Sequence, residues 1–307
     1  MLSQVIEIYD LLDDGKVNGQ SIKKLFEERG HNEIEIKKVN GKTGYTEFVK
    51  IVIRGKNGKI GGGSSSTLGV IGRLGGVGAR PKRIGLVSDG DGAIVALSVA
   101  LKLVDMQRRS DYLNGDVIVT THICPKAPII PHKPVPFMGS PVDMDIMNKY
   151  EVDQRCDAIL SVDTTKGNNV LNLRGFAITP TVKDGWILPP SEGLLRIMEI
   201  TSGRPPMILP ISTQDITPYK NGLRHINSIL QPAIATNSPV VGVAITTETI
   251  VPGSATGASH EIDIEEAARF CIEAAKEFGG GTLEFYDQSE FELLKRKYGE
   301  MRHLQEA

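Results

Sequence analysis

Residues 83–123 read RIGLVSDGDGAIVALSVALKLVDMQRRSDYLNGDVIVTTHI. Two short runs rich in branched apolar residues, 83–88 and 115–123, flank a stretch of helical length from Ala93 to Gln107. That alternation predicts a parallel strand-helix-strand unit. The pattern continues downstream with helices expected at 143–149, 193–201, 223–230, 262–278 and 289–305, and strands at 157–163, 207–211 and 240–245. Strands and helices in this order predict an α/β chain with a mostly parallel, doubly wound sheet. Upstream, Val5, Ile6, Ile8, Leu11 and Leu12 recur at helical spacing, and a second helix over 20–28 is closed by Gly30, giving an N-terminal helical hairpin. Two alternating segments, 33–39 and 47–53, surround Asn-Gly-Lys-Thr-Gly and predict a small antiparallel β element, and 67–71 is a further short strand candidate. Residues 1–60 are thus expected to pack on an α/β core over 61–307, the two forming one compact unit.

Composition narrows the function classes. With 307 residues and 40% hydrophobic content the chain can bury a sizeable core, so disorder is excluded. A net charge of −2, without a basic cluster, argues against nucleic acid as a partner. Three scattered cysteines, Cys124, Cys156 and Cys271, form neither a disulfide framework nor a CxxC pair. The opening residues MLSQVIEIYDLLDDGK lack the zones of a signal peptide, and no apolar run is long enough to span a bilayer. A cytoplasmic location with no membrane partner is expected.

In open parallel sheets ligands bind beyond the carboxyl ends of the strands. Polar residues of this sequence fall at those ends: Asp89 and Asp91 after 83–88, His122 and Cys124 after 115–121, Asp163 after 157–162, Glu248 after 240–245, and His260 with Glu261 just before the long helix. Such a mixture of oxygen and nitrogen donors suits one or two divalent cations, zinc first and manganese or cobalt as relatives. Each residue also has a plainer role. Asp89 and Asp91 can cap the following helix, Asp163 can sit in an ordinary turn, His122 can be a hydrogen-bonded core histidine, and His260 and Glu261 can belong to a helix N-terminal turn. A calcium loop starting at Asp89 is rejected, because its twelfth position is Ala100 rather than a glutamate.

The glycine-rich stretch from Gly61 to Gly78 contains neither GxxxxGK[ST] nor a GxGxxG opening a helix, so a phosphate loop and a dinucleotide fingerprint are both unsupported. It reads as a flap or subunit contact, with Arg73 and Arg80 able to hold an anionic group, and a homo-oligomer is expected. Residues 124–141 contain six prolines and must form an extended loop. Cys124 is a nucleophile candidate only if His122 or His132 activates it.

Through GVIGRLGGVGARP, GLVSDGDGA, GDVIVTTHICP, ILSVDTTKGN, TQDITPY and GASHEIDIEEAARF, the chain resembles a bacterial and archaeal family of unknown function over nearly its whole length. More distantly, the order of motifs is similar to the co-catalytic zinc exopeptidases, the aminopeptidase and deacylase superfamily with a phosphorylase-like α/β core. That similarity implies Asp89 or Asp91 as a bridging metal ligand, Asp163 as the next acidic ligand and His260 as the last. The sequence departs from the pattern near Val87, where no histidine stands, and after 115–120, where Thr121, His122, Ile123 and Cys124 replace a glutamate pair. The expectation is a metal-dependent hydrolase cleaving an amide bond in a small peptide or amino-acid derivative. Asp89, Asp91, Asp163 and His260 hold the metal in this reading, His122 assists, and Glu248 or Glu261 is the general base. The alternative is a catalytically degenerate hydrolase fold acting as a small-ligand-binding or scaffold protein.

Overall fold

The computed structural model describes residues 1–73, 85–133, 136–168, 170–251 and 257–306. Four parallel strands form the centre of a nine-stranded mixed sheet: β3 (Leu68–Gly72), β4 (Val117–Ile123), β7 (Ala158–Thr164) and β11 (Val240–Thr246). Both flanks are antiparallel. On one side β2 (Gly44–Ile53) pairs with β4 and with β1 (Ile34–Gly41); on the other, β11 pairs with β8 (Gly175–Ile178) and β9 (Thr181–Lys183), and β9 with β10 (Trp186–Leu188). The sheet is therefore mixed rather than parallel throughout, and the 33–53 hairpin extends the main sheet. Val49, Ile51 and Ile53 put one face of β2 into the main core, which the antiparallel register against Val117–Thr121 accommodates. The separate small sheet is instead a two-residue pair, β5 (Ile129–Ile130) with β6 (Phe137–Met138), in the proline-rich loop.

Period-two alternation sorts the strand side chains. Val117, Val119, Leu160, Val162, Val241 and Val243 join one core with α1 (Leu2–Asp13), α2 (Gly19–Glu27), α3 (Asp91–Gln107), α5 (Glu192–Ser202) and α6 (Glu261–Gly280). Ile118, Ile159, Val240 and Ala244 face a second cluster that contains Leu209, Ile216, Ile229 and Leu230. Strands buried on both faces read as continuous apolar runs, as these do. α4 (Met144–Glu151) covers the second face at β2 and β4, and α7 (Gln288–Tyr298) follows α6 near the carboxyl end. Helix α3 is buried on nearly every side, in keeping with its lack of a polar face.

Four sequence expectations are corrected. No strand forms over 85–88, residues 83–84 lying outside those described; Gly85 has φ +84° and Ser88–Gly90 is a short 3-10 turn. The strand preceding α3 is β3, read only as a short candidate. No helix forms over 223–230, because side chains take the amides a helix would use: Asp215 Oδ1 accepts from Ile226 N and Asn227 N, Asn221 from Leu223 N and Asn227 from Ile229 N. Residues 207–211 make a single bridge, Ile178 to Ile208, between prolines that remove ladder donors. The last helix stops at Gly299, φ +84°, and 302–305 form a 3-10 turn.

Two glycines set the depth at which α3 meets the sheet. A Cβ on Gly72 would fall 2.4 Å from Gly92 O, and one on Gly92 would fall 2.6 Å from Arg73 O and 2.8 Å from Val162 O. The obstructing atoms are backbone, which cannot rotate away. Gly92→Ala is expected to lower unfolding free energy by about 1–3 kcal/mol through overpacking, whereas Gly280→Ala, with nothing within 4 Å of its new methyl, leaves stability equal or higher. Urea denaturation of both variants checks the contrast.

Candidate functional site

Because β3, β4, β7 and β11 are parallel, their carboxyl ends share one edge, and the close approach of α3 places Asp91 on that edge. Asp91 is fully buried. Its Oδ2 lies 2.5 Å from Lys166 Nζ and its Oδ1 accepts from Ser259 Oγ at 2.5 Å, while Lys166 Nζ also donates to Ala258 O at 2.6 Å. Burial pushes the Asp91 pKa up, and the Lys166 charge opposes it. Both carboxylate oxygens are thus engaged, and the positive charge beside them is an ammonium supplied three residues beyond Asp163.

Asp163, at the end of β7, is also fully buried. Its Oδ1 accepts from Thr164 N at 2.7 Å and its Oδ2 from Ser228 Oγ at 2.9 Å. Burial pushes its pKa up to about 6 despite the Ser228 hydrogen bond and the Arg73 charge. The Tyr219 phenol is pushed up to about 12 by burial and by the Asp163 charge. Ser228 and Tyr219 line a cavity of about 370 Å³, together with Asp89, Thr164, Lys166 and the amide side chains of Asn168 and Asn227. Phe137, Met138, Ile226 and Val251 supply its apolar wall.

His122 belongs to a different network. Its Nδ1 lies 2.5 Å from Glu151 Oε1, Glu151 Oε2 accepts from Arg73 Nη1 at 2.6 Å, and all three side chains are buried. Asn148 Oδ1 adds a longer contact to Arg73, and the Phe48 ring lies 5.6 Å from the imidazole. His122 therefore matches the hydrogen-bonded core reading, and Arg73 is held by Glu151; Arg80 lies outside the described residues. Burial pushes the Cys124 thiol up to about 12, so the thiolate needed for nucleophilic chemistry is strongly disfavoured.

The remaining candidates line a second cavity, of about 410 Å³. His260, Glu248 and Glu261 meet there with Arg174 and Asp263. His260 is half exposed, and its Nδ1 lies 3.4 Å from Asp263 Oδ2. The structure thus brings together Glu248, Glu261 and His260, sets Asp89 on the first cavity with Asp163 bonded to its wall, and leaves Asp91 and His122 in separate buried networks. Among the described residues no group of three or more His, Cys, Asp or Glu side chains is arranged to hold a metal ion. With both Asp91 oxygens engaged and His260 turned to Asp263, the residues present do not fit the metal that the peptidase similarity implies. Sequence reading missed Lys166, Ser228, Tyr219 and Glu151; only the Asp-x-x-Lys spacing of 163–166 carried a trace of them.

Two outcomes follow. Removing one partner of the Asp91 pair strands a buried charge, so Lys166→Met is expected to cost about 3–5 kcal/mol, and the double variant with Asp91→Asn to recover most of it, read by denaturant unfolding. For Asp163, the folded state favours the neutral carboxyl. Between about pH 4, its unfolded value, and pH 6 the folded chain binds more protons than the unfolded one, so stability falls as pH rises through that window. Asp163→Asn is expected to flatten that decline in melts taken across pH 4–7.

No helix of the described residues is long and apolar enough to cross a membrane. Among functionally curated proteins none matches the chain by sequence. Among solved structures, a glutaminyl cyclase from an Acidobacteriales bacterium shares the fold, with a TM-score of 0.53 at 11% identity over 91% of this chain and 94% of that one. Residues 37–307 match the model of the family described as "Protein of unknown function (DUF1177)", and the chain belongs to that family.

Proposed function

We propose that the chain binds a small amide-bearing molecule, such as a short peptide or amino-acid derivative, in the 370 Å³ cavity at the sheet edge, on a zinc-exopeptidase-like scaffold that does not use a metal there. The observation that carries this reading is the commitment of Asp91 to Lys166 and Ser259. With the cation supplied by the protein itself, the cavity wall keeps hydroxyl and amide groups beside Asp89 and Lys166. Ser228, Tyr219 and Asn227 suit the paired donor and acceptor of an amide, and Phe137 and Ile226 suit its apolar flank.

A second reading, amide hydrolysis, is favoured by one specific contact. Ser228 has a carboxylate within hydrogen-bond distance, and Asp163 ionises near neutrality, where a general base is useful. Above about pH 6 the Asp163 carboxylate accepts the Ser228 proton and makes that oxygen a better nucleophile. The expected pH profile rises through that value and is abolished by Asp163→Asn.

Calorimetric titration of N-acetylated dipeptide amides in the presence of a chelator tests the binding reading. Saturable binding is expected, weakened about twofold to tenfold by Ser228→Ala or Tyr219→Phe through loss of a hydrogen bond. Binding that requires added zinc, or that is indifferent to both substitutions, contradicts it.

A further inference from the structure

The cavity that holds Glu248, Glu261 and His260 has a neighbour of about 380 Å³, and Arg174 and Glu248 line both. The neighbour is apolar inside: Phe176 and Met198 are buried there and Leu173 and Met207 partly so. Its other charged group, Arg204, is spoken for by a two-pronged ion pair with Glu266. The mouth differs. Arg174 meets Asp263 through Nε alone, at 3.4 Å, and its terminal nitrogens have no partner among the described residues. Glu248 and Glu261 likewise have no cationic partner among them, and Arg174 and Glu248 form no ion pair with each other. With Asp263 counted, three carboxylates face one guanidinium and one imidazole, so the mouth carries an acidic excess over an apolar hole.

We propose that these two cavities form one binding site, distinct from the 370 Å³ cavity, for a primary ammonium attached to a large apolar side chain, as in a free apolar α-amino acid or the N-terminal residue of a peptide. Glu248 receives the ammonium, assisted by Glu261. The apolar side chain enters between Phe176, Met198 and Met207, and the terminal nitrogens of Arg174 take the ligand's carboxylate or first carbonyl oxygen. The volume is ample for a leucine, methionine or phenylalanine side chain. The arrangement separates charge from apolar surface as an amino acid does: the carboxylates stand at the exposed mouth, where an ammonium keeps part of its hydration, and the interior demands none.

Calorimetric titration of the full chain with leucine, leucyl-glycine, alanine and N-acetyl-leucine tests the proposal. Leucine or leucyl-glycine is expected to saturate a site that depends on Glu248, with alanine weaker by about tenfold or more for its missing carbons, and any binding of N-acetyl-leucine, in the other cavity, is expected to be indifferent to Glu248→Gln. Tighter binding of leucine than of leucyl-glycine assigns the free amino acid, and the reverse assigns a peptide N-terminus. Glu248→Gln, an exposed change that leaves packing intact, is expected to weaken binding about tenfold or more by removing a charge-assisted contact. Ser228→Ala, in the other cavity, is expected to leave it unchanged, which separates this site from the one proposed above. Loss of N-acetyl-leucine binding on Glu248→Gln, indifference of leucine binding to that substitution, or no saturable binding of either leucine compound overturns it.

Discussion

Two opposite charges held out of water, Asp91 on α3 and Lys166 after β7, set the arrangement of the sheet edge. Burying each ion costs several kcal/mol, and the pair survives because contact is close and the remaining polar atoms are met by Ser259 and Ala258. The pair joins the start of α3, the loop after β7 and the segment leading into α6. It also depends on Gly72 and Gly92, whose missing side chains let α3 approach the backbone of β3 and β7 closely enough for the carboxylate to reach that lysine. A methyl at Gly92 presses on the same two carbonyls that fix the approach.

The other buried charges follow the same logic. Glu151, at the end of α4, meets both Arg73 and His122, although Arg73 Nε is buried without a hydrogen-bond partner, while Asp163 has no cation bonded to it among the described residues and responds by holding its proton to near neutrality. The two cavities consequently differ in character. One has hydroxyls and amides beside Asp89 and Lys166; the other has carboxylates at its mouth and thioethers and an aromatic ring within. Lys166 lines the first and holds Ala258, two residues before His260 of the second, so the Asp91 pair stands between them in the chain of contacts.

The parallel core was legible because βαβ alternation imposes a period that survives in single strands: 117–123, 158–164 and 240–246 each read as apolar runs ending in polar residues. The strand at 68–72 was harder to see, its Leu-Gly-Val-Ile-Gly being glycine-rich for a packing reason visible only in three dimensions. Residues 223–230 misled because their apolar spacing is helical while the side chains of Asp215, Asn221 and Asn227 capture the amides. In the site, Asp163 stands at the end of β7, whereas Asp89 and Asp91 lie in a 3-10 turn and at the start of α3 instead of after the strand expected at 83–88, and spacing alone does not tell a carboxylate that binds a metal from one neutralised by a lysine. Lys166 lies close to Asp163 in sequence but pairs with Asp91, 75 positions away. No local pattern records that choice.

Whether the Lys166 ammonium or a metal ion supplies the positive charge beside Asp91 is decided by the metal content of the native chain after dialysis against neutral buffer, measured by plasma mass spectrometry. Far less than one zinc, manganese or cobalt per chain is expected, with no retention after equilibration with micromolar zinc. One or two tightly held ions per chain, lost on Asp91→Asn, would contradict the lysine assignment.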